Sequence, residues 1–246
     1  LRLGAFALKM TSTLSHPQEL GTLLRGEPDT LGRWAAQFQS RRFAFHITVI
    51  VAGAGCYGAA MGWWRDPMQA LYVAIKLPLI MLLVTLGNAL LNAMLAPLLG
   101  LNITFRQSLL AVLMSFAIAS AILGAFSPLV GFLVWNAPPM SPDVKSTITY
   151  GLIKLAHVVA IAFAGIAGNV RLFQLLKQLG GSRTVAWRVL FAWLAVNLFL
   201  GSQLTWIARP LIGAPQLPVV FLRDTAFQGN FYEDIFRTLL HLFQFD

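Results

Sequence analysis

From Leu77 to Leu101 the chain runs 25 positions without an Asp, Glu, Lys, Arg or His. As a helix rising about 1.5 Å per residue, this stretch extends roughly 37 Å, more than the ~30 Å of a bilayer's hydrocarbon. Lys76 and Arg106 flank it, where long side chains can reach headgroups. A soluble core has no need of a helix so long and so bare of charge. Lipid is therefore the expected solvent, and the rest of the chain is read on that basis.

Composition agrees. Charged residues make up 11% of the chain and mean hydropathy is +0.71, against about 25% charged residues in soluble domains. The net charge of +9 does not point to nucleic acid. The basic residues are spread over the ends of apolar runs, which is the pattern of a topology signal. The single cysteine, Cys56, lies inside an apolar stretch and excludes a disulfide framework.

The pattern predicts an all-α polytopic transmembrane bundle with about five spans and amphipathic surface helices at both ends. Residues 1–42 form a cytosolic or interfacial segment, 43–209 the five-span bundle, and 210–246 an extracytoplasmic loop with an interfacial C-terminal helix. The spans are Phe43–Trp64, Leu77–Leu101, Ser108–Trp135, Ile148–Val170 and Val189–Ala208. Before the first span, Ser15-His16-Pro17-Gln18 has the form of a capping box. A second helix start at Asp29 carries Leu31, Trp34, Ala35 and Phe38 on one face. That face suits either the membrane surface or the protein's own bundle.

Between the first two spans, Pro67–Lys76 reads as a short amphipathic link. Pro78 then falls in the first turn of the second span, and Pro97 bends or ends it. Ser127-Pro128 is expected to interrupt the third span and leave a kinked or re-entrant end. A non-helical loop follows from Asn136 to Thr147. Gly180-Gly181 stops the polar extension of the fourth span. In the tail, Asn230 caps a short helix bearing Ile235, Phe236, Leu239, Leu240 and Phe243. Lys and Arg number 11 on the side of the N-terminus and six on the other, which places the N-terminus inside.

Small residues recur every fourth position as Ala54, Gly58 and Gly62 in the first span and Ala160, Ala164 and Gly168 in the fourth. Ala117–Ala121 and Ser120–Gly124 repeat the spacing in the third. Such stripes let helix backbones approach closely in lipid, within one chain or between subunits.

The runs Tyr57-Gly58-Ala59-Ala60-Met61-Gly62, Gln69-Ala70 and Ala74-Ile75-Lys76-Leu77-Pro78-Leu79 resemble those of a set of uncharacterised bacterial integral membrane proteins. Gly100, Phe105-Arg106-Gln107-Ser108, Arg209-Pro210 and Gly229-Asn230-Phe231-Tyr232-Glu233 are similar to the same set. Those proteins in turn resemble the Yip-type five-span fold. The likeness covers most of residues 43–240 and implies fold and bacterial origin; it implies no reaction.

All nine acidic residues fall outside the predicted spans. Proton-driven carriers and intramembrane aspartyl proteases need a buried carboxylate, so this distribution weighs against both. There is no HExxH, GxSxG or P-loop. His46 and His157 fall in spans, but at depths roughly 12 Å apart, too far for two axial ligands of one haem. No catalytic residue, cofactor or metal site is assigned.

A polar set is expected near the bilayer midplane instead. Asn88, His157 and Asn197 share that depth, with Asn92 one turn from Asn88 and Lys154 and Gln203 nearer the outer edge. Such groups either bind helices together by hydrogen bonds or line a cavity for a small ligand or ion. Asn102-Ile103-Thr104 matches a glycosylation sequon on the side predicted to be cytosolic.

The expected function is a non-enzymatic scaffold subunit that packs against other subunits in a bacterial membrane complex. The alternative is a channel or permease component for a small solute, ion or lipid. The expected partners are membrane lipid and other membrane protein subunits, not nucleic acid. The expected location is the bacterial cytoplasmic membrane, multi-pass, N-terminus inside.

Overall fold

The computed structural model describes residues 16–25, 33–34, 39–140, 144–213, 217–234 and 236. Its helices are α1 (His16–Arg25), α2 (Ser40–Trp63), α3 (Pro67–Leu98), α4 (Phe105–Trp135), α5 (Val144–Gly180) and α6 (Arg183–Ile207). No strand occurs among the described residues. Five helices, all but α1, are long and apolar enough to cross a membrane. The protein is an all-α polytopic helix bundle.

The helix ends follow from local chemistry. Asp66 caps α3 by accepting the Met68 N–H at 2.7 Å, with Pro67 in the first turn. At the far end Gly100, with φ +90°, makes the left-handed stop. The Leu101 N–H reaches the Ala96 carbonyl and the Gly100 N–H the Pro97 carbonyl, a Schellman pair that satisfies two terminal acceptors. Thr104 and Gln107 form a capping box at the start of α4. The threonine of the sequon is thus a helix cap.

The structure corrects the sequence at four places, one being the loop expected from Asn136 to Thr147, which gives way to α5 already at Val144. Residues 67–76 are not a link, because Asp66 and Pro67 start α3 there, so Pro78 lies well inside the helix. Lys76, expected to reach headgroups, is buried within the fold. Ser127-Pro128 does not interrupt α4. Pro128 withholds the N–H that would reach the Gly124 carbonyl, and Ser127 Oγ donates to that carbonyl instead, at 2.6 Å.

Helix α4 lies at the centre, packed on α2, α3 and α5, while α6 packs on α3 and α5. Of its most apolar window 56% is buried, against 22% for α5 and for α6, so the last two spans turn most of their surface outward. On α3, Leu71, Ile75, Leu79, Leu86 and Leu90 form an exposed apolar row suited to acyl chains.

The N-terminal segment docks on the bundle. Leu23 is fully buried, and the buried Glu19 carboxylate pairs with Arg41. Trp34 is also buried, under the Arg42 guanidinium and edge-on to His46. Ser15, Asp29, Leu31, Ala35 and Phe38 lie outside the described residues.

The chain after α6 folds back over the start of α3. The Pro210 carbonyl accepts from Lys76 Nζ and from Gln69 Nε2, each at 3.0 Å. Arg65 donates to Leu217 O and Tyr150 to Gly213 O. Asn230 Oδ1 accepts the Glu233 N–H at 2.8 Å, as a cap should. Tyr232 stacks on Phe199 of α6 and takes a hydrogen bond from Ser202. Ile235, Leu239, Leu240 and Phe243 lie outside the described residues.

Candidate functional site

Apart from Gln69 and Lys76 on the Pro210 carbonyl, polar residues of the spans gather in two places. The first is a pair. Tyr57 of α2 and His157 of α5 are both buried, and Tyr57 Oη lies 2.9 Å from His157 Nδ1. Whichever tautomer His157 adopts, this is one hydrogen bond across the bundle, and Nε2 has no partner.

The second place is the crossing of α3, α4, α5 and α6. Asn92 Nδ2 donates to Asn88 Oδ1 at 2.7 Å, one turn apart on α3. Asn88 faces Ser115 of α4, Asn169 of α5, and Trp193 and Asn197 of α6 across a cavity of about 60 Å³. Gly165 gives the cavity room on the α5 side, since a Cβ there would meet nothing within 4 Å.

The sequence grouped Asn88, Asn92, Lys154, His157, Asn197 and Gln203. The structure brings Asn88 and Asn197 to the cavity, with Asn92 hydrogen-bonded behind Asn88. It takes His157 away to Tyr57. Lys154 is exposed, its Nζ 5.2 Å from the centre of the Tyr150 ring. Gln203 is half-buried and does not line the cavity. Ser115, Asn169 and Trp193 were not singled out, although Asn169 sits one residue from the Gly168 of the small stripe. His46 donates Nδ1–H to the Arg42 carbonyl at 2.6 Å, near the start of α2.

The small residues sit at helix contacts within this chain. A Cβ on Gly58 would come 2.5 Å from the Val73 carbonyl oxygen, and one on Gly62 would come 2.6 Å from that of Gln69, so both face α3. A Cβ on Gly168 would come 2.7 Å from the Ser115 carbonyl oxygen of α4. Ala54 and Ala164 are fully buried, and Ala160 borders an outer groove. The closest approach involves a residue outside the predicted stripes. A Cβ on Gly53 would run into the Ser120 carbonyl, and one on Gly124 would come 2.9 Å from Gly53 Cα.

Further concavities lie outside the interior, two of them larger than the rest among the described residues. An apolar groove of about 510 Å³ runs between α4 and α5, walled by Phe126, Leu129, Leu133, Leu155, Val159 and Phe163 among others. A polar pocket of about 430 Å³ lies beyond the end of α6, between Trp206, Arg209, Thr225, Asn230, Glu233 and Asp234. There the Arg209 guanidinium stacks 3.8 Å from the Trp206 ring centre and donates to the Trp206 and Thr225 carbonyls. Partial burial, and then the charge of Arg223, lower the Arg209 pKa, and Asp234 opposes them. Both terminal nitrogens of Arg209 are thus tied into the fold of the loop.

Among the described residues, no three His, Cys, Asp or Glu side chains come together in a way that could hold a metal ion. No protein-family model, curated protein or solved structure matches this chain.

Proposed function

We propose that the chain is a non-enzymatic scaffold subunit of the bacterial cytoplasmic membrane, multi-pass with its N-terminus inside, that packs against other membrane proteins. The observation that carries this reading is the groove between α4 and α5. It is wholly apolar in its side chains and lies on the outside of the bundle. A helix of another subunit would fit it by shape, since association in lipid rests on packing. The proposed kinship with Yip-type five-span proteins suits an adaptor of this kind, by analogy of fold alone.

The test is extraction in mild detergent followed by a native gel. A discrete complex larger than the chain, lost on Val159→Trp, supports the reading. A chain that migrates alone in every mild detergent counts against it. A second reading, a channel or permease component, draws on the cavity among Asn88, Asn169 and Asn197. Its size opposes the reading, because a cavity of ~60 Å³ has room for only a few water molecules. Flux of a small solute through liposomes holding this chain alone would favour it.

A further inference from the structure

We propose that the crossing of α3, α4, α5 and α6 is a built site for a small cluster of bound water, held by Trp193, Asn88, Asn169, Asn197 and Ser115. The argument is one of hydrogen-bonding capacity. Trp193 is 1% exposed, and its indole N–H, which can only donate, has no acceptor in the protein. Asn88 uses its Oδ1 on Asn92, which leaves its Nδ2 to donate. Asn169 uses its Nδ2 on the Gly165 carbonyl at 2.8 Å, which leaves its Oδ1 to accept. Asn197 offers a donor and an acceptor whichever way its amide is turned, and the Ser115 hydroxyl does both.

These groups line one cavity, in the part of the bilayer where solvent is absent and an unmade hydrogen bond costs most. The chemistry selects the occupant. A monatomic cation is refused by the Trp193 N–H and the Asn88 amide donors. An anion is refused by the Asn169 carbonyl oxygen. No charged side chain lines the site to hold either one. A neutral molecule of one heavy atom that donates and accepts fits both the space and the pattern. A water needs two to four polar partners and at least about 10–15 Å³, and the cavity supplies both. The proposal stands whether or not the groove between α4 and α5 receives a partner, because the two surfaces share no residue.

The test is hydroxyl-radical labelling by millisecond X-ray pulses, on the full chain in lipid nanodiscs equilibrated with ¹⁸O water. Bound water is then the local source of radicals. Trp193 is expected to gain ¹⁸O despite its burial. Tyr57, equally buried and outside the cavity, is expected to stay unlabelled. Asn197→Leu and Gly165→Val each fill the space with apolar atoms, one from each of two helices. Each is expected to abolish the Trp193 label while the helical signal by circular dichroism is kept. The proposal is overturned if Trp193 stays as unlabelled as Tyr57 in the parent chain. It is equally overturned if the label survives in whichever of the two filled variants folds.

Discussion

The contact of α2 with α4 and the crossing of α3 with α4, α5 and α6 solve one problem in opposite ways. At the first, Gly53 and Gly124 bring two backbones together until no Cβ fits between them. At the second, asparagine, serine and tryptophan keep the helices far enough apart to leave a cavity. In water both would be cemented by the expulsion of solvent from apolar surface. In lipid that force is missing, so one contact relies on dispersion at close range and the other on polar groups that have no better place to go. The first is rigid and intolerant of volume. The second tolerates volume but not the loss of a partner.

Four substitutions would break or sharpen this contrast. Gly53→Leu should have the largest effect, about 3 kcal/mol or more, because the Ser120 backbone cannot yield. The chain should fail to give a monodisperse peak in detergent, whereas Gly131→Leu, at an open position of α4, should leave the peak intact. Asn88→Leu should cost about 1–2 kcal/mol in thermal unfolding, since it strips Asn92 of its acceptor. Tyr57→Phe should cost less, about 0.6 kcal/mol and at most ~1.7, the range for hydrogen bonds between helices in lipid. Its effect should vanish in a His157→Phe background. Ile166→Ala, on the exposed face of α5, should change stability by less than about 0.5 kcal/mol. A larger loss there would mean that this face is covered by something other than acyl chains.

The five spans were legible because lipid leaves a simple trace, long stretches without charge. Gly58, Gly62 and Gly168 were legible because close approach demands a repeated absence of side chain, and each lies against a neighbouring backbone. Gly53 escaped because it stands alone on α2, outside the stripe of that helix, although the Ser120–Gly124 pair it meets on α4 was visible by its spacing. The polar crossing was legible by depth alone. Depth brought out Asn88 and Asn197 but could not tell which face of a helix His157 or Lys154 occupies. Rotation about the helix axis decides that, and the sequence of α5 carries small residues on more than one side. The continuity of α4 through Pro128 was hidden for another reason. The remedy lies in the preceding residue, Ser127, whose hydroxyl reads from sequence as part of the interruption.

Lys76 places a buried positive charge in the first third of the second span, where it meets the carbonyl of Pro210 and the face of Phe221. Both acceptors follow all five spans in the chain. Without them the buried ammonium would have to draw on water for its hydrogen bonds. The loop after the fifth span thus ties the end of the bundle to its second span.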